Sequence, residues 1–468
     1  MEHVGVAVSL RSGGHHHEAM CSNTDGVVLM APSGDGIEID TNANTMWVHS
    51  GLRLRAVIAA LGAKHRLLPT GGCDTVNVGG LTHGGGWGLS TRQFGLTSDA
   101  LLAVEMVLPN GDIVVLDQTG FLDGTSTTLG VDPVDLFWAI RGGGGGNFGM
   151  VTKFQFQIFD PPNAYTEFTL QWDKPARVDA AVAWAELCRL GDKALNTFAR
   201  MTVVEEDPQY IFYNNPPFVV GGRYYGTEEQ CRYALHNLME KAAPKYAAFR
   251  ERNLDDPISF FDKHMAAMGA APPLDPDADF DDPDVERMNP QGYALQVGAK
   301  QKLGPPNTCI FEPEPHKVSS TFPNTTDDAA LFSAAADYLD AFEDPSDSFD
   351  GTNLYLSLHG MGGRMAEFDD SKGAFPWRDR PYMLQIQAWW HPGSKCPEQE
   401  EKVLDWVRQF RVLLESHCTG AFINFPDHEQ DTHQYYGASF ERLGGIKAQV
   451  DEKNLLKFDM GIDPIFLR

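Results

Sequence analysis

The chain has 468 residues, 42% of them hydrophobic and 22% charged, the make-up of a folded globular protein of two or three domains rather than a disordered one. No apolar run reaches the ~18 residues needed to cross a bilayer, and Met1–Gly14 lacks the apolar stretch of a signal peptide. With 37 Lys and Arg against 64 Asp and Glu, the net charge of −27 repels phosphate backbones and anionic lipid, which argues against nucleic acid and membranes as partners.

In chain order, Val4–Leu10 and Gly26–Met30 read as short buried strands. Leu54, Val57, Ile58 and Leu61 recur at helical spacing, with Gly62 as a stop. Leu102–Leu108 and Ile113–Leu116 flank Pro109-Asn110-Gly111, a hairpin signal. Met150–Phe159 alternates as a strand and runs into Pro161-Pro162, a natural boundary. Beyond residue 163 the texture changes. Helical stretches at 177–190, 228–241 and 328–342 alternate with apolar strands at 198–204, 209–213 and 382–390, a pattern that suits an antiparallel sheet with helices on one face. Gln385 and Gln387 share one face of the last of these strands. Pro397, the acids Glu398, Glu400 and Glu401, and the stripe Val403, Trp406, Val407, Phe410 and Leu414 predict the clearest helix. Between them, Asp275, Asp277, Asp279 and Glu286 fall at calcium-loop spacing. Phe280 stands where such a loop needs glycine, so a solvated acidic loop is expected.

Glycine is concentrated in the first third, in bursts at Gly13–Gly14, Gly71–Gly72, Gly79–Gly88 and Gly142–Gly149, which points to backbone crowding around a large ligand. Gly144, Gly146 and Gly149 satisfy GxGxxG, but the residues that follow read as a strand, whereas a dinucleotide fold needs a helix there. Seven cysteines show no CxxC pair, and their odd number leaves at least one outside any disulfide. Adjacent histidines in extended chain face opposite ways, so of His15-His16-His17 only His15 and His17 could chelate together. No further ligand set accompanies them, and no metal is expected.

The segments Arg11-Ser12-Gly13-Gly14-His15, Pro69–Gly80 (with Cys73, Thr75, Val78, Gly79 and Gly80) and Gly84-Gly85-Gly86-Trp87-Gly88 resemble the flavin domain of berberine-bridge-enzyme-like oxidases. Phe94-Gly95-Leu96 with Asp99, Arg141–Gly149 (with Gly145, Asn147, Phe148 and Gly149), and Tyr435-Tyr436-Gly437 with Arg442 and Lys447 continue the match in order. The resemblance implies an α+β fold: a two-lobed PCMH-type FAD-binding domain at 1–160, a substrate domain of antiparallel sheet and helices at 161–420, and a segment at 421–468 returning to the flavin domain. Relatives carry a longer segment before the RSGGH motif, so a truncated first lobe is expected, and a lost signal peptide would make the protein secreted.

By the same resemblance, FAD is attached twice, through His15 to the 8α-methyl carbon and through Cys73 to ring carbon C6. Backbone N–H groups of residues 12–16, including His16, and of the other glycine bursts would close on the cofactor. Val78 occupies the position that gates oxygen, where a small residue fits an oxidase. The tyrosine base of many relatives is replaced by Phe422, which cannot accept a proton. His17 is therefore the candidate base, its ordinary pKa of about 6.5 suiting the task. Tyr435 and Tyr436 stand in reserve, and Gln385 falls at a substrate-contacting position. The implied function is FAD-dependent oxidation of a hydroxylated small molecule, a sugar or a secondary metabolite, with molecular oxygen as electron acceptor. The alternatives are a flavin-less relative that only binds a ligand, and a metal hydrolase using His15, His17 and Glu18.

Overall fold

A computed structural model describes residues 8–24, 26–202, 216–253, 316–324, 326–341, 353–389 and 397–466. A six-stranded antiparallel sheet runs in the order Ile37–Asp40, Thr45–His49, Met150–Gln157, Leu101–Val107, Ile113–Asp117, Gly120–Phe121. Its central hairpin is turned by Pro109-Asn110-Gly111, with Gly111 at φ +91°, a conformation that favours glycine. Alternate residues Val104, Met106, Val114, Leu116, Phe154 and Phe156 are buried, and the helices Leu54–Gly62, Pro133–Ile140 and Phe440–Val450 share their core. The last described helix thus packs in the same core as the six-stranded sheet near the start of the chain. Asp132 starts the middle helix by accepting a hydrogen bond from Val134 N at 2.8 Å.

An eight-stranded antiparallel sheet has the order Tyr246–Asn253, Ala164–Trp172, Phe218–Tyr224, Leu195–Thr202, Asn353–Gly360, Tyr382–Trp389, His316–Pro323, Cys418–Thr419. Helices Arg177–Leu190, Asp328–Asp340 and Pro397–Leu414 cover one face, where Leu356, Leu358, Leu384 and Ile386 meet Trp184, Phe332 and Phe410. The period of two sends Ser357, His359, Gln385 and Gln387 to the opposite face, against the flavin-motif segments. No described helix is long and apolar enough to cross a membrane.

Two expectations need correction. Val8–Arg11 and Val27–Met30 do pair, in parallel, but not as buried strands: Val27 is 48% and Met30 60% exposed, because the pair forms a separate two-stranded sheet. The stretch 228–241 is two short helices, Glu228–Ala234 and His236–Lys241, that break at Leu235. The strand read at 209–213, the acidic loop at 275–286 and Trp390 lie outside the described residues.

Candidate active site

The segment after the first strand, Arg11–His17, lies along the turn Cys73–Asn77 and the helix Val78–His83. Ser12 Oγ donates to Ser50 O at 2.7 Å. A Cβ on Gly13 would fall 2.6 Å from the Asn77 side chain, so only glycine allows this approach. Asn77 is itself held by donation to Gly51 O at 2.6 Å. From the far end of the chain, Asn424 donates to Gly80 O and accepts from Gly86 N, both at 3.1 Å. Gly144 N donates to His83 O at 3.0 Å, which brings the Gly142–Gly149 loop to the same place.

These segments and the polar sheet face enclose a cavity of about 330 Å3, within the ~300–1,000 Å3 range of small-molecule sites. Arg11, Ser12, Gly13, Gly14, His15, His16, Cys73, Gly79, Gly80, Gly84, Gly145 and Gly149 line it, as do His17, Tyr436 and Gln385. The other nominated residues stand behind the wall. Val78 and Phe148 belong to the core, because the helix Val78–His83 turns Gly80 to the cavity and Val78 away. Asp99 forms a buried two-point pair with Arg378, Nη2–Oδ1 2.7 Å and Nη1–Oδ2 3.0 Å. Tyr435 Oη donates to Asp427 O at 2.8 Å, and Asn147 donates through Nδ2 to Gly143 O and accepts through Oδ1 from Ile462 N. Thr75, Gly85, Gly86 and Gly88 likewise shape the loops without lining the cavity. Motif spacing identifies the segment; which of its residues face inward is decided by tertiary packing.

Among the cavity residues not singled out as site residues from sequence are Asn77, His83, His359 and Gln387. Asn77 lies within the Pro69–Gly80 motif and His83 within the Gly79–Gly88 burst, but no motif marks His359 or Gln387. For those two, only the shared face of Gln385 and Gln387 gave a signal. His359 Nε2 donates to Gln385 Oε1 at 3.0 Å, and that oxygen also accepts from Gln387 Nε2 at 3.0 Å. Gln387 Oε1 accepts from Tyr355 Oη at 2.8 Å and Trp389 Nε1 at 3.1 Å, so this face is a fixed polar lattice.

Burial lowers the pKa of His15, His16 and His83. It takes His17 well below the ordinary value, with further lowering from His316. His359 is brought to about 4 by burial, partly offset by its bond to Gln385. At neutral pH these imidazoles are uncharged and can offer a lone pair. Burial pushes the Tyr436 hydroxyl up and its partner is Asn147, which makes it a poor base.

For His359 the unfolded chain binds a proton more readily than the folded one. Stability on its account is full above pH 6.5 and falls as the pH drops towards 4. Urea melts at pH 7.5, 5.5 and 4.5 should show that loss, and His359→Gln should reduce its slope; an unchanged slope in the variant would remove His359 as its source.

Among cavity residues, Asn77 Oδ1, His83 Nε2 and His359 Nδ1 are buried without a hydrogen-bond partner among the described residues. Buried polar atoms are normally satisfied, so these three fit a cavity built to hold a polar group. A Cβ on Gly80 would meet nothing within 4 Å and one on Gly145 nothing nearer than 3.7 Å, which leaves backbone open to an approaching ligand. The residues present fit a flavin. A metal fits less well. Glu18, Asp427 and His428 come within ligating distance of a common point. Yet Lys317 Nζ sits there already, 2.6 Å from Glu18 Oε1, 2.7 Å from Asp427 Oδ1 and 3.3 Å from His428 Nδ1. The acids are neutralised by an ammonium group, and Glu18 is committed to it.

Two family models match the chain, "FAD binding domain" over residues 2–117 and "Berberine and berberine like" over residues 421–463. An uncharacterized FAD-linked oxidoreductase of Bacillus subtilis, YvdP, is 26% identical, covering 98% of this chain and 87% of the relative. The carbohydrate oxidase of Microdochium nivale is 24% identical, covering 99% and 84%. Among solved structures, the glucooligosaccharide oxidase of Acremonium strictum, described with a 6-S-cysteinyl, 8α-N1-histidyl FAD, has the same fold at TM-score 0.72 and 20% identity, covering 98% and 87%. Fold, cavity and matches define an FAD-linked oxidoreductase. Its first 117 residues and its C-terminal segment 421–463 are similar to the flavin domain and the C-terminal segment of berberine-bridge-enzyme-like proteins, the resemblance that its motifs imply.

Proposed function

We propose that the protein is an oxidase of a hydroxylated ring compound, a sugar or oligosaccharide, with FAD attached through both His15 and Cys73 and with molecular oxygen as the final acceptor. The observation that carries this reading is a single cavity with His15, Cys73 and His17 on the motif side and Ser357, His359, Gln385, Gln387 and Trp389 on the sheet side. FAD bound there supplies a two-electron acceptor at its N5 position. His15 and Cys73 would hold it, and the backbone around Gly80 and Gly145 gives it room. Gln387 is fully engaged and orients its neighbours, leaving the Gln385 amide nitrogen and the Ser357 hydroxyl to donate from one strand face to substrate hydroxyls, and the Trp389 ring edges the same wall. His17 takes the hydroxyl proton as the C–H hydride leaves. The substrate loses two electrons and two protons in all, and oxygen gains them as peroxide.

The substrate test is peroxide release against a panel of reducing mono- and oligosaccharides and, separately, benzylic and phenolic alcohols. One peroxide per sugar oxidised is expected, with lactone as product. Turnover confined to the aromatic alcohols would overturn the sugar reading, and turnover only with an artificial acceptor would overturn the oxidase reading. The carbohydrate oxidases among the relatives support the first choice. The absence of a tyrosine at Phe422 favours His17 over a hydroxyl base.

A further inference from the structure

The end of the motif segment and the start of strand His316–Pro323 meet as two successive rungs. His17 Nδ1 lies 2.8 Å from His316 Nε2, and one residue on, Lys317 Nζ donates to Glu18 Oε1 at 2.6 Å. The second rung is anchored. Lys317 also reaches Asp427 Oδ1 at 2.7 Å, with side-chain exposures of 6% and 0%, and Glu18 Oε2 lies 2.6 Å from His428 Nδ1. Asp427 is tied down in turn by Arg411 and by Tyr435, whose hydroxyl accepts from Asp427 N at 2.7 Å. The His316 ring is itself clamped, stacked on Trp389 with centroids 4.3 Å apart and planes 23° apart, while His17 meets it edge-on at 85°.

Two imidazole nitrogens at hydrogen-bond distance share one hydrogen: one donates and the other accepts. A His17 that takes a proton from substrate must offer its lone pair at Nε2, since Nδ1 is engaged with His316. That requires the hydrogen on Nδ1, donated to His316 Nε2. We propose that His316 is the positioning residue for His17, holding it in the Nδ1–H tautomer with Nε2 available to the cavity, and that the Glu18–Lys317 rung fixes the register of the pair. This rests on the reading of His17 as base. A Phe or Leu at position 316 would leave Nδ1 without an acceptor and free the tautomer. A glutamine there can still accept through Oε1.

The test reads the tautomer directly and needs no substrate. Long-range 1H–15N spectra of the whole protein with 15N-labelled histidine, assigned for His17 by its loss in His17→Gln, should show a pyrrole-type Nδ1 and a pyridine-type Nε2. His316→Leu should collapse this into a mixture, and His316→Gln should restore it. Flavin-reduction rates taken alongside should fall about 10- to 100-fold in His316→Leu, recover most of that loss in His316→Gln, and show no further fall when His316→Leu is added to His17→Gln. A His17 signal with the hydrogen on Nε2, or one unchanged in His316→Leu, would overturn the inference. A fixed tautomer together with wild-type reduction in His17→Gln would leave the positioning in place and instead remove the base reading.

Discussion

Replacing His17 by glutamine is expected to slow reduction of the flavin by a sugar substrate about 10²- to 10⁴-fold, the usual contribution of a positioned general base, with flavin content unchanged. The expectation follows from three facts about the site. His17 lines the cavity together with His15 and Cys73. Its burial and its histidine neighbours keep it neutral well below the ordinary histidine pKa, so it holds a lone pair across the physiological range. Its rivals are spoken for: Phe422 has no proton acceptor, Tyr436 is buried beside Asn147 with its hydroxyl pKa raised, and Tyr435 bonds to Asp427. The sign of the pH dependence is also set. A base with a lowered pKa loses activity only as the pH falls well below the ordinary histidine range, and the limb should vanish in His17→Gln. Stopped-flow reduction under anaerobic conditions checks this, and a variant that reduces at the wild-type rate would end the assignment.

The second large effect concerns stability. Lys447 is fully buried, and its Nζ donates to Asp451 Oδ2 at 2.7 Å, Asn147 O at 2.8 Å and Leu456 O at 2.9 Å. The ammonium therefore ties the helix Phe440–Val450 to the glycine loop Gly142–Gly149 that borders the cavity. Burial lowers its pKa, and Asp451 opposes that shift. Lys447→Met keeps most of the volume but leaves the Asp451 carboxylate without its counter-charge, apart from the N–H groups of Leu455 and Leu456. The cost expected from breaking a buried pair is about 3–5 kcal/mol, read as a fall in urea midpoint. Lys447→Met/Asp451→Leu should recover part of it, because removing both partners leaves no orphan charge. A single variant as stable as the wild type would show that the pair contributes little net stability.

The hairpin at 109–111, the strand after GxGxxG and the helix Pro397–Leu414 could be read from sequence because each is set by local chemistry: turn residues, period-two alternation, and an apolar stripe with a dipole-matched start. The flavin segments could be read because they are contiguous motifs. What could not be read is which residues turn inward and which distant residues they meet. His316 touches His17 across 299 positions, and His359 sits unmarked near the end of a strand. Asp99 carries a motif position yet serves Arg378. The short strand Val27–Met30 misled for the opposite reason: an apolar run implies burial only when a second layer covers it.

The central claim is that one FAD is gripped by two side chains, and peptide mass spectrometry of the purified protein tests it most directly. After denaturation in acid the colour should remain on the polypeptide, and one cross-linked species should carry the peptides of His15 and Cys73 joined by a single FAD, while His15→Ala and Cys73→Ala should each leave one attachment. A protein whose His15 and Cys73 peptides both run at their unmodified masses would contradict the account.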